Sequence, residues 1–165
     1  MDSHFKHFSP GQAAKYLDFI KEELLPFVEK RYAIDASKRT LVGHSAGGLF
    51  ASYVLLNHTE VFESYVILSP ALFWNNKQLF ADESRYASKQ KDLKSRVYFA
   101  TGSAEVPPAW PYNWVALQNE FVAQLQKRQY EGLTLKADII EGAVHETSFP
   151  IGVLQGVQWL YSKPE

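Results

Sequence analysis

The sequence predicts an α/β domain in which a parallel sheet of about four strands is covered by helices on both faces. Short apolar runs rich in β-branched and aromatic residues have the length of strands, and they occupy residues 39–44, 64–69, 96–101 and 135–142. Helical stretches lie between these runs, and strands that alternate with helices form parallel sheets. The chain has 165 residues, the length of one domain, so we expect a single domain over residues 1–165.

A helix is predicted before the first strand. Ser9 is placed to cap it, with Pro10 at the first helical position, and apolar residues recur at helical spacing from Leu17 to Tyr32. We expect a kink at Pro26, because proline lacks the backbone donor that its turn needs. The later helices are predicted at residues 48–57, within 76–94, at 113–128 and at 150–161.

Charge and composition argue against several classes of function. The chain carries 17 Lys and Arg against 18 Asp and Glu, and it has no block of like charge, so we expect no nucleic-acid partner. Cysteine is absent, which excludes disulfides, thiolate metal sites and a cysteine nucleophile. No apolar run approaches the ~18 residues of a membrane span, and the first residues lack the pattern of a signal peptide. We therefore expect a cytoplasmic protein that does not insert into a membrane.

The sequence GHSAG directly follows the first predicted strand and matches the pattern G-x-S-x-G. In a nucleophile elbow, a strained turn between strand and helix lifts the serine into the site. We expect a side chain at either Gly43 or Gly47 to collide with neighbouring backbone, and the Ala46 N–H to be the first oxyanion donor. An ordinary turn serine is the alternative, but the apolar strand and apolar helix around the motif favour Ser45 as a nucleophile.

A serine nucleophile needs a general base, and His145 is the candidate. It follows the last predicted strand, and the chain order of serine before histidine agrees with enzymes that use such an elbow; the alternative is a loop histidine without a task. His44, inside the motif, is expected to shape the pocket. His4 and His7 have a spacing that could suit a metal but lack further ligands, and His58 follows a helix near the opposite edge of the sheet.

A carboxylate is expected to orient the base, and three glutamates are candidates. Glu105 follows the third predicted strand, where chain order places the acid. Glu141 lies at the end of the last strand, and Glu146 is adjacent to the histidine, although adjacent side chains usually point apart. Glu105 is therefore preferred, and a serine–histidine pair without a third member stays open.

Aromatic residues follow the second and third predicted strands, close to the expected nucleophile. Phe73 and Trp74 come after the second strand, and Trp110 and Trp114 come after the third. Such side chains could line an acyl or aryl pocket. The alternative is that Phe73 and Trp114 belong to the core.

Residues 35–76 resemble the segment around the nucleophile in the putative-esterase branch of the α/β-hydrolases. This branch includes enterochelin-type siderophore esterases, S-formylglutathione hydrolase and the mycolyltransferases. The similarity to the siderophore esterases lies in Asp35, Arg39, the GHSAGGLFA block and the SPALFW sequence, and it extends over most of the chain.

The resemblance implies an α/β-hydrolase-like domain with Ser45 as nucleophile and His145 as base. A glutamate often stands where Glu105 falls, although some members use a serine–histidine dyad. The implied activity is hydrolysis of a small-molecule ester through an acyl-enzyme, without metal or organic cofactor. An acyltransferase with the same residues and a catalytically silent domain that only binds a ligand or partner are the alternatives.

The sequence departs from this family before the elbow. Members have several strands there, one of which leads into a loop that donates a second oxyanion N–H, whereas here a single helix is predicted. We therefore expect an N-terminally short domain, either a fragment or a natural minimal form. Loss of one oxyanion donor lowers turnover about 10²–10³-fold, so weak activity is expected. The unpaired edge of the first strand could support a homo-oligomer.

Overall fold

The structure is a computed structural model that describes residues 11–162. It contains two compact units, the first reaching Ser37 and the second beginning at Lys38. The expectation of one domain over residues 1–165 stays a prediction. No helix within the described range is both long and apolar enough to cross a membrane.

The first unit is helical. Helix α1 (Ala13–Phe19), a π-helical turn (Ile20–Leu24) and helix α2 (Leu25–Glu29) follow one another without a break. Pro26 lies in the first turn of α2, and because it has no N–H, the regular hydrogen-bond ladder is interrupted there. The irregularity expected at this proline thus takes the form of a π-helical turn just before it. The predicted cap, Ser9 and Pro10, lies outside the described residues.

The second unit alternates strands and helices along the chain. Its elements are β1 (Thr40–His44), α3 (Ala46–Asn57), β2 (Ser64–Leu68), α4 (Trp74–Ala87), β3 (Asp92–Gly102), α5 (Trp114–Arg128), β4 (Glu131–Ile140) and α6 (His145–Tyr161). The four strands form one sheet in the order β1-β2-β3-β4, and all three pairings are parallel. The α/β fold predicted from the alternation of elements is confirmed.

Helix α6 begins at His145 rather than at Pro150, where the sequence pattern placed its start. The Val144 N–H donates to Thr147 Oγ1 at 3.0 Å, so a side chain within the first turn satisfies a donor that the helix itself cannot. The predicted base is therefore the first residue of a helix and not a loop residue. Strand β1 lies at an edge of the described sheet, and its Val42 is 39% exposed. A homo-oligomer formed through that edge stays a prediction.

The start of α4 is irregular. Asn75, Asn76 and Lys77 have φ angles of 47°, 54° and 60°, which form a left-handed turn that L-residues adopt at a cost of about 1–2 kcal/mol each. Trp74, an expected pocket residue, is half-buried at the first position of this helix.

Both faces of the sheet are covered. On one face, Phe99 of β3 meets Phe121 of α5, with ring centroids 6.1 Å apart. On the other face, Val66 of β2 packs in a buried cluster with Leu160 of α6. A Cβ atom on Gly156 would lie 2.8 Å from Val66 Cγ1, so α6 can approach the sheet this closely only because the helix has a glycine there.

The far end of α6 is anchored by side chains from two strands. The Arg96 guanidinium of β3 donates to the carbonyl oxygens of Leu160 and Trp159 at 2.5 and 3.3 Å. Its carbon Cζ also lies 5.1 Å from the centroid of the Trp159 ring. Thr40 of β1 and Tyr161 share a hydroxyl–hydroxyl hydrogen bond of 2.8 Å. The two Arg96 hydrogen bonds satisfy terminal carbonyls that the helix leaves open.

Substitution Gly156→Ala is expected to lower the free energy of unfolding by about 1–2 kcal/mol. The added methyl group would meet Tyr98 and Val66 side-chain atoms at 2.8 Å, and such overpacking outweighs the gain in helix propensity. Thermal unfolding measures the effect, with Gln158→Ala on the exposed side of the same helix as control. A melting temperature equal to or above that of the wild type would contradict the close approach of α6 to the sheet.

Candidate active site

Ser45 occupies a strained turn between β1 and α3. Its φ and ψ angles are 57° and −117°, a backbone region that non-glycine residues adopt rarely and at a cost of about 1–3 kcal/mol. The Ser45 N–H donates to the Leu68 carbonyl at 3.0 Å, and the Ser45 carbonyl accepts from the Ala71 N–H at 3.1 Å. These bonds tie the turn to the segment that follows β2 and hold the strained conformation in place.

The glycines around this turn have unequal roles. A Cβ atom on Gly43 would lie 2.2 Å from the Gly47 carbonyl oxygen, as expected for a tight elbow. The corresponding expectation for Gly47 is wrong, because a Cβ atom there would meet nothing within 4 Å. Gly47 is exposed in the first turn of α3, whereas a Cβ atom on Gly48 would lie 2.9 Å from the Leu68 carbonyl oxygen. The second close approach thus belongs to Gly48.

Ala46 is the first residue of α3 and is exposed. An N–H group at this position has no carbonyl acceptor within its own helix, and the amino end of the helix carries a partial positive charge. The Ala46 N–H is therefore placed where a donor to an oxyanion at Ser45 would be needed, and its role as such a donor stays a prediction.

His145 is paired with a buried carboxylate. Its Nδ1 atom lies 2.6 Å from Glu105 Oε2, and Glu105, in the loop after β3, is fully buried. The other two candidate acids, Glu141 and Glu146, are exposed. Of the three glutamates, the structure thus places Glu105 against the imidazole.

The second oxygen of Glu105 is occupied by two donors. The Ser69 hydroxyl donates to Oε1 at 2.6 Å, and the Gly102 N–H donates to the same oxygen at 2.8 Å. Burial by itself would raise the pKa of Glu105, but the hydrogen bonds from His145, Ser69 and Gly102 outweigh it, so the pKa lies below its ordinary value. The carboxylate is therefore ionised at neutral pH, with Oε2 turned to the imidazole.

His44 lies beside His145, with ring centroids 4.4 Å apart. Burial and the neighbouring His145 lower the pKa of His44, against weaker opposing effects, so this ring is neutral at neutral pH. The contact also brings His145 next to the residue that precedes Ser45. Among the contacts of residues 11–162, no hydrogen bond joins the Ser45 hydroxyl to the His145 ring. Such bonds are often long in free enzymes and tighten with substrate.

Aromatic side chains surround the imidazole. The rings of Trp110 and Trp114 lie 4.8 and 4.7 Å from that of His145. Phe73 packs edge-on against Trp114 at 5.1 Å and stacks on Tyr112 at 4.0 Å. Trp114 is buried, whereas Trp110, Phe73 and Tyr112 are half-buried. Trp114 is thus both a core residue and a neighbour of the predicted base, and the other three form an aromatic wall.

Sequence reasoning did not identify Ser69 and Ser148. Both are fully buried, and their hydroxyl oxygens lie 2.9 Å apart. A buried serine follows no period of strand or helix, so the only sequence signal was the position of Ser69 at the carboxyl end of a predicted strand. Among residues 11–162, no group of three or more His, Asp or Glu is arranged to hold a metal ion, and His4 and His7 lie outside that range.

A serine on a strained strand–helix turn, with a paired histidine at the same edge of a parallel sheet, is typical of α/β-hydrolases. The sequence profile of the family described as "Putative esterase" matches residues 3–149. The chain belongs to this family.

The proteins to which this chain is similar in sequence include siderophore esterases. The ferri-bacillibactin esterase BesA of Bacillus subtilis (strain 168) is 34% identical over 97 residues, which are 58% of this chain and 34% of that protein. The siderophore triacetylfusarinine C esterase of Aspergillus fumigatus is 30% identical over 105 residues, 61% of this chain and 36% of the relative. The chain thus spans about a third of the length of these curated relatives.

A solved structure shares the fold over nearly the whole chain. The crystal structure of the BES protein from Bacillus cereus superimposes with a TM-score of 0.84 at 30% sequence identity, over 99% of this chain and 60% of that one. The siderophore hydrolase EstA of Aspergillus nidulans superimposes with a TM-score of 0.78 over 91% of this chain and 57% of that one, and at 24% identity it shows the fold alone.

Substitutions Gly43→Ala and Gly47→Ala are expected to have opposite effects on stability. A methyl group at Gly43 would lie 2.2 Å from a backbone oxygen, and relieving that clash requires the turn to open, at about 3 kcal/mol or more. At Gly47 the methyl group meets open space, and helix propensity predicts a gain of up to about 1 kcal/mol. Chemical denaturation measures both variants side by side. Equal losses in the two would contradict the unequal roles of the glycines.

The stability contributed by ionised Glu105 is expected to depend on pH. Because its pKa in the folded state lies below the ordinary 4.5, this contribution is fully present above the unfolded-state pKa and is lost as pH falls through the folded-state pKa. Glu105→Gln is therefore expected to cost about 1.5–3 kcal/mol at pH 7 and progressively less below pH 4.5. Denaturation at a series of pH values tests this, with the exposed Glu141→Gln as control. A difference from wild type that is independent of pH would refute it.

Proposed function

We propose that this chain is a serine ester hydrolase that acts through an acyl-enzyme on Ser45. The observation that carries the proposal is the 2.6 Å contact between His145 Nδ1 and the buried Glu105 carboxylate. The same imidazole lies against His44, the residue that precedes Ser45 on its strained turn. Membership of the esterase family supports the same reaction type.

The pairing with Glu105 determines which nitrogen of His145 can act as a base. Because Nδ1–H donates to the carboxylate, Nε2 carries the free lone pair and can accept the Ser45 proton. Ser45 Oγ then attacks the ester carbonyl carbon, and the Ala46 N–H at the start of α3 stabilises the negative charge on the carbonyl oxygen. His145 returns its proton to the departing alcohol oxygen, leaving an acyl-enzyme.

Water completes the cycle. His145 removes a proton from a water molecule, whose oxygen attacks the acyl carbon, and the proton passes to Ser45 Oγ as the acid leaves. The Glu105 carboxylate stays ionised and stabilises the imidazolium that forms in each half-reaction. These steps need only side chains, backbone donors and water.

We propose a siderophore-type ester as the natural substrate. Two curated relatives are named for esters of this kind, ferri-bacillibactin and triacetylfusarinine C. The half-buried ring of Trp110 lies next to the imidazole, and the stacked, half-buried rings of Phe73 and Tyr112 reach it through Trp114. Such faces favour contact with aromatic or flat acyl groups. An acyltransferase would use the same residues. It differs only in that an alcohol, in place of water, accepts the acyl group from Ser45.

Hydrolysis of p-nitrophenyl butyrate is expected for the wild type and is expected to fall by at least about 10³-fold in Ser45→Ala, because the attacking oxygen is removed. Ser88→Ala, an exposed serine at the end of α4, is the matched control and should keep the wild-type rate. Initial rates at pH 8, with circular dichroism to verify folding, make the comparison. Product analysis with ferri-bacillibactin tests for siderophore hydrolysis. Product analysis in the presence of an added alcohol tests for acyl transfer. Folded wild type and Ser45→Ala with the same rate, or with none, would contradict the proposal.

A further inference from the structure

Ser69 and Ser148 take no part in the proposed ester hydrolysis, and their buried hydroxyl groups form a hydrogen-bonded pair next to Glu105. Ser69, the residue after β2, has a φ of 38°, which is unusual for a residue other than glycine. Ser148 lies in the first turn of α6. Both side chains are fully buried, and a buried polar group is costly unless it is hydrogen-bonded. Their partners therefore show what holds them there.

The Ser69 hydroxyl proton can be assigned from its partners. Ser69 donates to Glu105 Oε1 at 2.6 Å, because an ionised carboxylate can only accept. Its oxygen is then free to accept, and Ser148 Oγ stands 2.9 Å away. The Ser148 hydroxyl has two further partners, the His145 carbonyl oxygen at 2.8 Å and His44 Nε2 at 3.5 Å. The network thus joins the end of β2, the acid and the helical turn that carries the imidazole.

We propose that Ser69 is a positioning residue of the Glu105–His145 pair and that Ser148 supports it from α6. This inference rests on the proposed ester hydrolysis. Ser69 and the Gly102 N–H occupy Oε1, and this leaves Oε2 for the imidazole. Without the Ser69 hydroxyl, one donor would remain on Oε1, and rotation of the carboxyl group would no longer be opposed from the β2 side.

Loss of the Ser69 donor has a defined electrostatic consequence. The carboxylate would lose a charged hydrogen bond at a fully buried position, so its negative charge would attract a proton on the paired imidazole more strongly. The other ionisable groups around the Glu105–His145 pair are Glu146 at the start of α6 and His44 at the end of β1. None of these side chains is changed by a substitution at Ser69, so the effect on the pair can be observed separately.

The test compares Ser69→Ala and Ser69→Gly with Ser95→Ala. Glycine removes the hydroxyl while suiting the positive φ, so a shared effect of both variants comes from the hydroxyl and not from backbone strain. Ser95 is a matched control, because it is also buried and its hydroxyl has no hydrogen-bond partner. Both Ser69 variants are expected to lower kcat for p-nitrophenyl butyrate roughly 10–100-fold, the loss of one charged hydrogen bond, with KM changed less than about twofold.

The pH dependence separates positioning from a merely structural role. The acid limb of the kcat/KM profile is expected to move to higher pH in both Ser69 variants and to stay in place in Ser95→Ala. Ser148→Ala should shift it in the same direction by less, and the double variant Ser69→Ala/Ser148→Ala should show less than the sum of the two effects, because the hydroxyls act in one network. A loss of rate that is equal at every pH, or no loss, would overturn the proposal.

A second measurement does not depend on turnover. The titration of the Glu105 carboxyl carbon, followed by ¹³C NMR and assigned with a Glu105→Gln variant, is expected to have a higher midpoint in Ser69→Ala than in the wild type, because the Ser69 hydrogen bond lowers the pKa of Glu105. The midpoint is expected to be unchanged in Ser95→Ala. An unchanged midpoint in Ser69→Ala overturns the positioning role. If the folded wild type is inactive while the midpoint still shifts, the proposed ester hydrolysis fails and the positioning of the pair stands.

Discussion

The charge of Glu105 lies entirely out of water, and a buried carboxylate costs several kcal/mol unless protein donors replace the solvent. Its donors come from three separate elements: Ser69 at the end of β2, Gly102 at the end of β3, and His145 at the start of α6. These elements must therefore meet at one point for the carboxylate to stay ionised. The parallel order of β2 and β3 brings two of them to the same edge of the sheet, and α6 supplies the third because its first turn begins there.

The same short segment after β2 also supports the nucleophile turn. The Leu68 carbonyl accepts from the Ser45 N–H, and the Ala71 N–H donates to the Ser45 carbonyl, while Ser69, between them, donates to Glu105. A strained backbone at Ser45 and a buried charge at Glu105 are thus stabilised by one stretch of chain. A displacement of this segment would affect both groups together, so the geometry of the site depends on a region that carries neither the predicted nucleophile nor the predicted base.

Much of this arrangement could be predicted from the sequence, because it depends on local patterns. The four β-rich runs gave four parallel strands, and the glycine spacing around Ser45 gave a strained turn. Other features depend on contacts between distant residues. Ser69 and Ser148 have meaning only once β2 and α6 are side by side, and the sequence could not show whether Gly47 or Gly48 faces the backbone after β2. Helix α6 begins at His145 because Thr147 caps its first turn, whereas the position of Pro150 predicted a later start.

The contacts of Arg96 with the last turn of α6 have a mechanical consequence. A helix of 17 residues is about 25 Å long, and it holds the imidazole at one end and Arg96's carbonyl partners at the other. A tilt of only about two degrees around the far end moves the near end by about 0.9 Å, and a misplacement of about 1 Å can change a rate about 10²-fold. Sequence variation at the far end of α6 can therefore change the position of the His145 ring without altering any residue around Ser45.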